Sequence, residues 1–234
     1  GRYFNAQDVR SYRRVVALHD GSVLNRYWDD ANTPRDEAYR RDVLVCLQNK
    51  ERESADTLRE IRAACESGWD FSSRWFLDGN SVATIATTSI VPIDLNSLLY
   101  GLERAIQSGA SQVGAKRLAG EYRRRADCRR QAMHRHMWNS NIGLFDDFNW
   151  RERRLRGAPT DASLFPLFCS LASQQQAAAT ALTIERTLLA PGGVVATLSR
   201  TGEQWDAPNG WAPLQWVAVE GLSRYGHTSL ARDI

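Results

Sequence analysis

The sequence predicts an all-α fold, with helices paired into an α/α toroid or a bundle and one small β-hairpin near the N-terminus. Three observations predict it. Apolar residues recur at helical spacing in successive segments. Those segments close on glycine or proline. The loops between them mix polar, aromatic and small residues where a plain turn needs only Gly or Pro. With 234 residues, 43% hydrophobic and 24% charged, the chain has the composition of an ordinary globular protein and the length for one sizeable core. No linker or composition shift divides residues 1–234, so a single domain is expected.

The elements follow in order. Two apolar runs within residues 14–28 flank Asp20-Gly21, a dipeptide that favours a hairpin turn. The polar stretch 28–37, with Pro34 and an Asn/Asp cluster, reads as a loop. Residues 55–66 place Leu58, Ile61 and Cys65 on one helical face, and Gly68 stops that helix. Asp94 is a candidate cap for a helix with Leu95, Leu98, Leu99, Leu102 and Ile106 on its buried stripe, ended by Gly109. A long helix spans about 112–138, with Leu118, Tyr122, Ala126 and Met133 on its apolar side. Residues 163–172 and 174–189 form another pair, closed by Pro191-Gly192-Gly193. Residues 213–225 end at Gly226, and Thr228 caps a last helix that runs off the end at Ile234 without a stop signal, as a truncated chain would.

Composition excludes several classes. A net charge of +3 is too small for a nucleic-acid protein of this length. The run Arg123-Arg124-Arg125, Arg129-Arg130, His134-Arg135-His136 is interleaved with Glu121 and Asp127 and reads as the wet face of a helix. No apolar run reaches the ~20 residues of a membrane helix. Gly1-Arg2-Tyr3-Phe4 opens no basic-then-apolar leader. Cys46, Cys65, Cys128 and Cys169 form no C-x-x-C pair and no zinc spacing with histidine. They read as small, mostly buried thiols, and a disulfide would require an oxidising compartment such as the periplasm. No metal site is expected.

Three loops carry chemistry. In Glu66-Ser67-Gly68-Trp69-Asp70-Phe71-Ser72-Ser73-Arg74-Trp75, the carboxyl of Asp70 stands between aromatic rings. Such walls disfavour the charged form and suit a general acid. The bland alternative is that Asp70 caps a short helix starting at Phe71. In Gln204-Trp205-Asp206-Ala207-Pro208-Asn209-Gly210-Trp211-Ala212-Pro213, indole faces can stack on sugar C–H groups while amide and carboxylate groups meet hydroxyls. That loop also suits a helix start, with Trp211 in the core. In Thr33-Pro34-Arg35-Asp36-Glu37, an arginine with two adjacent carboxylates can fork around a polyhydroxyl ligand, or simply be a solvated turn.

These segments resemble the trehalases, family 37 of the glycoside hydrolases. The Gln204–Pro213 loop is similar to the family's second signature, and Glu66–Trp75 to its segment holding the catalytic aspartate. Leu24-Asn25-Arg26-Tyr27-Trp28-Asp29-Asp30, Thr33-Pro34-Arg35 and Thr87-Thr88-Ser89-Ile90-Val91-Pro92-Ile93-Asp94-Leu95-Asn96 also resemble trehalase segments, in the family's order. The resemblance implies an (α/α)6 barrel and inverting hydrolysis of trehalose to two glucoses. Asp70 matches the general acid. Arg35 and Glu37 match substrate-binding residues, and Asp36 stands where the family usually has proline. Gly68 supplies backbone beside the acid, and Trp205 or Trp211 lines a glucose subsite. No cofactor is implied, and a soluble monomer is expected, periplasmic or cytoplasmic. The family's first signature is expected upstream, and the general base in a Glu-Lys-Tyr-Asp-like segment after residue 234. On that reading these residues are the middle portion of a catalytic domain and are inactive alone. The competing readings are a non-catalytic sugar-binding barrel and a related (α/α)6 glucosidase with another α-glucoside substrate.

Overall fold

The computed structural model describes residues 10–49 and 52–234; Gly1–Phe4, where a leader was sought, and Lys50 lie outside them. The N-terminal hairpin is extended by a third strand. Strands β1 (Arg10–Tyr12), β2 (Val15–Ala17) and β3 (Val23–Asn25) form an antiparallel meander in which Val16 pairs with Leu24. Gly21 takes φ 81° in the turn between β2 and β3, a conformation that costs glycine little. Both Val16 and Leu24 are fully buried and anchor the meander on the helices.

The rest is mostly helical: α1 (Tyr39–Gln48), α2 (Ser54–Ser67), α3 (Ile93–Gln112), α4 (Lys116–His136), α5 (Phe165–Phe168), α6 (Gln174–Thr187), α7 (Ala212–Arg224) and α8 (Thr228–Asp233). Short two-residue strands stitch the loops, notably Ile90–Val91 against Phe148–Asn149, which also pairs with Arg154–Leu155. The core has two parts. One gathers Ile61, Trp75, Phe76, Ile85, Ile90, Met133 and Phe145. The other gathers Leu164, Leu167, Ile184, Leu188, Val217 and Leu222 between α5, α6 and α7.

Several sequence expectations shift. Helix α1 was not anticipated. The α3–α4 hairpin turns at Gly114 (φ 76°), not Gly109, which is helical. Accordingly α4 starts at Lys116 and not near 112. Asp94 does not cap α3. Pro92 holds the N-cap position, and the Asp94 carboxylate accepts from Arg74 at 2.9 Å. The expected stripe of α3 is only partly covered: Leu95, Leu99 and Ile106 are half-buried, while Leu98 is 45% and Leu102 55% exposed. The buried face instead carries Asn96, Tyr100 and Glu103. The reason is Arg129 of α4, which donates to Glu103 at 2.9 Å and to the Asn96 side chain at 2.9 Å. A charge buried at a helix seam is tolerable when it is paired and hydrogen-bonded, and that pairing sets the rotation of α3. Residues 163–172 hold only a 3-10 turn, Asp161–Leu164, and the four-residue α5. His227, not Thr228, precedes the first turn of α8, and no side chain caps it. Helix α6 has a full capping box between Ser173 and Gln176. The cysteines are free. Cys46, Cys65 and Cys169 are half-buried and Cys128 is exposed, so burial is lighter than expected.

Candidate active site

The site is built from two loops held together by a buried carboxylate. Helix α2 ends on Gly68, which takes φ 79° and donates its N–H to the Cys65 carbonyl at 3.1 Å. That left-handed residue turns the chain sharply into Trp69-Asp70-Phe71. Ser72 then caps the 3-10 turn Ser73–Trp75, its hydroxyl accepting the Arg74 N–H at 3.1 Å. The capping role considered for Asp70 therefore belongs to Ser72. Asp70 is half-buried, and the peptide bond joining it to Phe71 is cis.

Asp206 lies in the second loop and is fully buried. Its carboxylate accepts from the Ser72 hydroxyl (3.0 Å), the Ser73 N–H (2.9 Å), the Ser73 hydroxyl (2.7 Å), the Thr197 hydroxyl (2.8 Å) and the Thr201 hydroxyl. A carboxylate offers about four lone-pair sites, and here they are crowded with donors. The sequence presented Asp206 as a sugar-facing group; the structure uses it as the clamp between loops. Beside the clamp, Trp205 donates its backbone N–H to the Phe71 carbonyl at 3.1 Å, and the Gln204 side-chain amide donates to the Asp70 carbonyl.

The tryptophans make one stack. Trp205 lies parallel to Trp69 with centroids 5.2 Å apart and to Trp211 at 4.4 Å. Trp69 in turn covers Arg74 at 4.6 Å, and Trp75 also faces that guanidinium at 4.5 Å. Trp205 stacks with both neighbours, and Trp211, at the end of the stack, is partly exposed. Trp211 is fixed by its indole N–H, which donates to the Gln204 carbonyl at 3.0 Å.

Arg74, absent from the sequence-derived site, is its electrostatic centre. Its guanidinium is fully buried between two carboxylates, Asp94 (2.9 Å) and Asp147 (2.6 Å). These aspartates hold it charged against the penalty of burial. Only the Trp-Asp-Phe-Ser-Ser-Arg-Trp context hinted at it; partners 20 and 73 residues away give no local signal.

The third loop joins the first through Arg35, which stacks on the Phe71 ring at 5.2 Å. Its carboxylate partner is neither neighbour suggested by the sequence. Asp42 of α1 accepts from Nη2 at 2.7 Å and from Nε at 3.0 Å. Asp36 and Glu37 sit exposed in a 3-10 turn, Asp36–Ala38. Arg41 covers Phe71 from 4.9 Å and pairs with Glu203 at 2.7 Å, tying α1 to the tryptophan loop. Structure thus brings together Asp70, Arg35, Gly68, Trp205 and Trp211, while Asp36 and Glu37 stay at the rim. Among the described residues no cluster of His, Cys, Asp and Glu is arranged to hold a metal ion.

The trehalase family model matches residues 2–234. The chain belongs to the trehalase family. It is 50% identical over 230 residues to a periplasmic trehalase of Xanthomonas oryzae pv. oryzae, an alignment covering 98% of this chain and 40% of that protein. It is 44% identical to a periplasmic trehalase of Citrobacter koseri, again over 98% of this chain and 40% of the relative. The chain therefore spans about two-fifths of the length of these trehalases. The neutral trehalase Nth1 of Saccharomyces cerevisiae superposes with a TM-score of 0.74 at 23% identity, over 88% of this chain and 43% of that one. The fold is the helical barrel architecture shared with that structure.

Proposed function

We propose that this trehalase-family chain is the middle portion of the catalytic domain of an inverting α,α-trehalase, with Asp70 as its general acid. The observation that carries this reading is the clamped junction of the two loops. Asp206 draws them together, and Gln204 and Trp205 grip the backbone on both sides of the cis bond, at Asp70 and Phe71. Asp70 is half-buried and follows Trp69, whose ring stacks on Trp205, and a carboxyl on a loop held in this way suits proton delivery to a glycosidic oxygen. Asp70 would protonate the oxygen bridging the two glucoses as the C–O bond breaks. A second carboxylate, supplied from outside these residues, would activate water on the opposite face of the ring. In inverting enzymes that pair stands ~6.5–9.5 Å apart to admit the water. Arg35 and Glu37 would bind hydroxyls, Gly68 would bring backbone close to the sugar, and Trp211 would stack on it. Asp36, in place of the usual proline, would leave the Arg35–Glu37 turn less rigid.

Both bacterial relatives are periplasmic trehalases, and a periplasmic location is proposed on that likeness. No helix of the described residues is long and apolar enough to cross a membrane.

The test is glucose release by the full-length protein carrying these residues, with trehalose, maltose and sucrose offered separately. Turnover of trehalose alone is expected. Turnover of maltose without trehalose would reject the substrate, and turnover of none would favour a sugar-binding role.

A further inference from the structure

Arg35 is held in a way that nothing in its own loop explains. Its guanidinium lies over the Phe71 ring, 5.2 Å from the centroid, and both Nε and Nη2 donate to Asp42. Asp42 also accepts the Arg35 backbone N–H at 2.9 Å, so one carboxylate fixes both the main chain and the side chain. The Asp42 side chain is 1% exposed and that of Arg35 10%. On the other side, Nη1 donates to the Cys65 sulfur at 2.9 Å. Burial lifts the Cys65 thiol to about 11, so the sulfur stays protonated and neutral there. Of the five N–H groups of a guanidinium, protein acceptors take one on Nε, one on Nη2 and one on Nη1. One N–H on each terminal nitrogen remains, both in the plane of the guanidinium, whose position Asp42 and Cys65 fix. Two donors held in one plane can meet a pair of neighbouring sugar hydroxyls.

We propose that Asp42 and Cys65 are positioning residues that lock the Arg35 guanidinium over Phe71, so that its two remaining N–H groups are aimed at adjacent hydroxyls of the bound glucose unit. This rests on the trehalase reading of the site. A lone surface ion pair would not need a buried carboxylate gripping side chain and backbone together. It would not need a thiol closing the third side either. Asp42 acts through Arg35 and touches no substrate.

The test uses the full-length protein and trehalose. Asp42→Asn puts an N–H against an N–H on one side of the bidentate pair. Its kcat/KM should fall about 10- to 100-fold, mostly through KM, the size of a charged hydrogen-bonding contact. In an Arg35→Ala background the same change should cost less than about twofold, because the group it positions is gone. Full additivity of the two changes would overturn the proposal. Asp42→Glu keeps the ion pair and the fold but moves the guanidinium by about one methylene. It should raise KM while leaving the melting temperature close to that of the parent. Wild-type KM in that variant would contradict the proposal, even if Asp42→Asn fails to fold. A parent protein that releases no glucose from trehalose would instead fault the substrate assignment. In that case the same variants are compared by calorimetric trehalose binding. Weaker binding by Asp42→Glu, lost in the Arg35→Ala background, would uphold the positioning role. Equal binding would overturn it.

Discussion

Arg74 illustrates how much of the site depends on single buried charges. Its guanidinium is sandwiched between Trp69 and Trp75 and chelated at its edges by Asp94 and Asp147. Arg74→Met would leave both carboxylates buried without their cation. Breaking such a pair by removing one partner costs ~3–5 kcal/mol. For a protein of this size the melting temperature should drop by roughly 10 °C, readable by circular dichroism. An unchanged melting temperature would mean that water reaches the aspartates. Trp211 has a different part. One face lies on Trp205 and the side chain is only partly buried. Trp211→Ala should raise KM for trehalose about tenfold, because the ligand loses a stacking face, and lower the melting temperature by a few degrees, because the stack on Trp205 and the bond to the Gln204 carbonyl go too. Steady-state kinetics on the full-length protein decide this, and an unchanged KM would make Trp211 purely structural.

Among the elements, the 197–211 segment depends most on one side chain. Asp206→Ala would strand the buried Ser72, Ser73 and Thr197 donors. Unsatisfied buried donors cost ~1–3 kcal/mol each. The segment should open locally before the domain unfolds, so limited proteolysis should cut it first. Protection equal to the parent would show that other contacts hold the loop. The same scale explains what the sequence disclosed. Helices with an apolar stripe and a glycine stop, such as α2 ending at Gly68 and α7 ending before Gly226, are legible because packing and capping agree, even though α2 also buries Thr57 and Glu60. Helix α3 was misread in orientation because its seam is polar. Glu103 and Asn96 are buried by virtue of Arg129, a partner on another helix that periodicity cannot see. Asp70, Trp205 and Trp211 stand out as candidates from the composition of their own loops. Asp42 and Arg74 do not, since their meaning lies in partners brought close only by folding.

For the molecule as a whole, burial of acidic groups makes stability depend on pH. Asp146 is 3% exposed. Burial, and then the adjacent Asp147, raise its carboxyl to about 7. Asp161, fully buried, is pushed well up by the same desolvation. An unfolded aspartate releases its proton near ~4. Between that value and about 7 the native state binds the extra proton at Asp146, so its contribution to stability falls as pH rises through this window. Asp146→Asn should remove that slope. The variant should gain in melting temperature relative to the parent at pH 8 and lose that gain at pH 4.5. Parallel melting curves at both values would show that Asp146 ionises normally in the fold.

The proton assigned to Asp70 remains the central point, and the full-length protein tests it by comparing kcat on trehalose for the parent and Asp70→Asn. A general acid contributes ~10²–10⁴ in rate. The asparagine variant should therefore lose at least ~10² in kcat, with an unaltered circular dichroism spectrum and trehalose still bound. Turnover within a few-fold of the parent would contradict the account and move the acid to another residue.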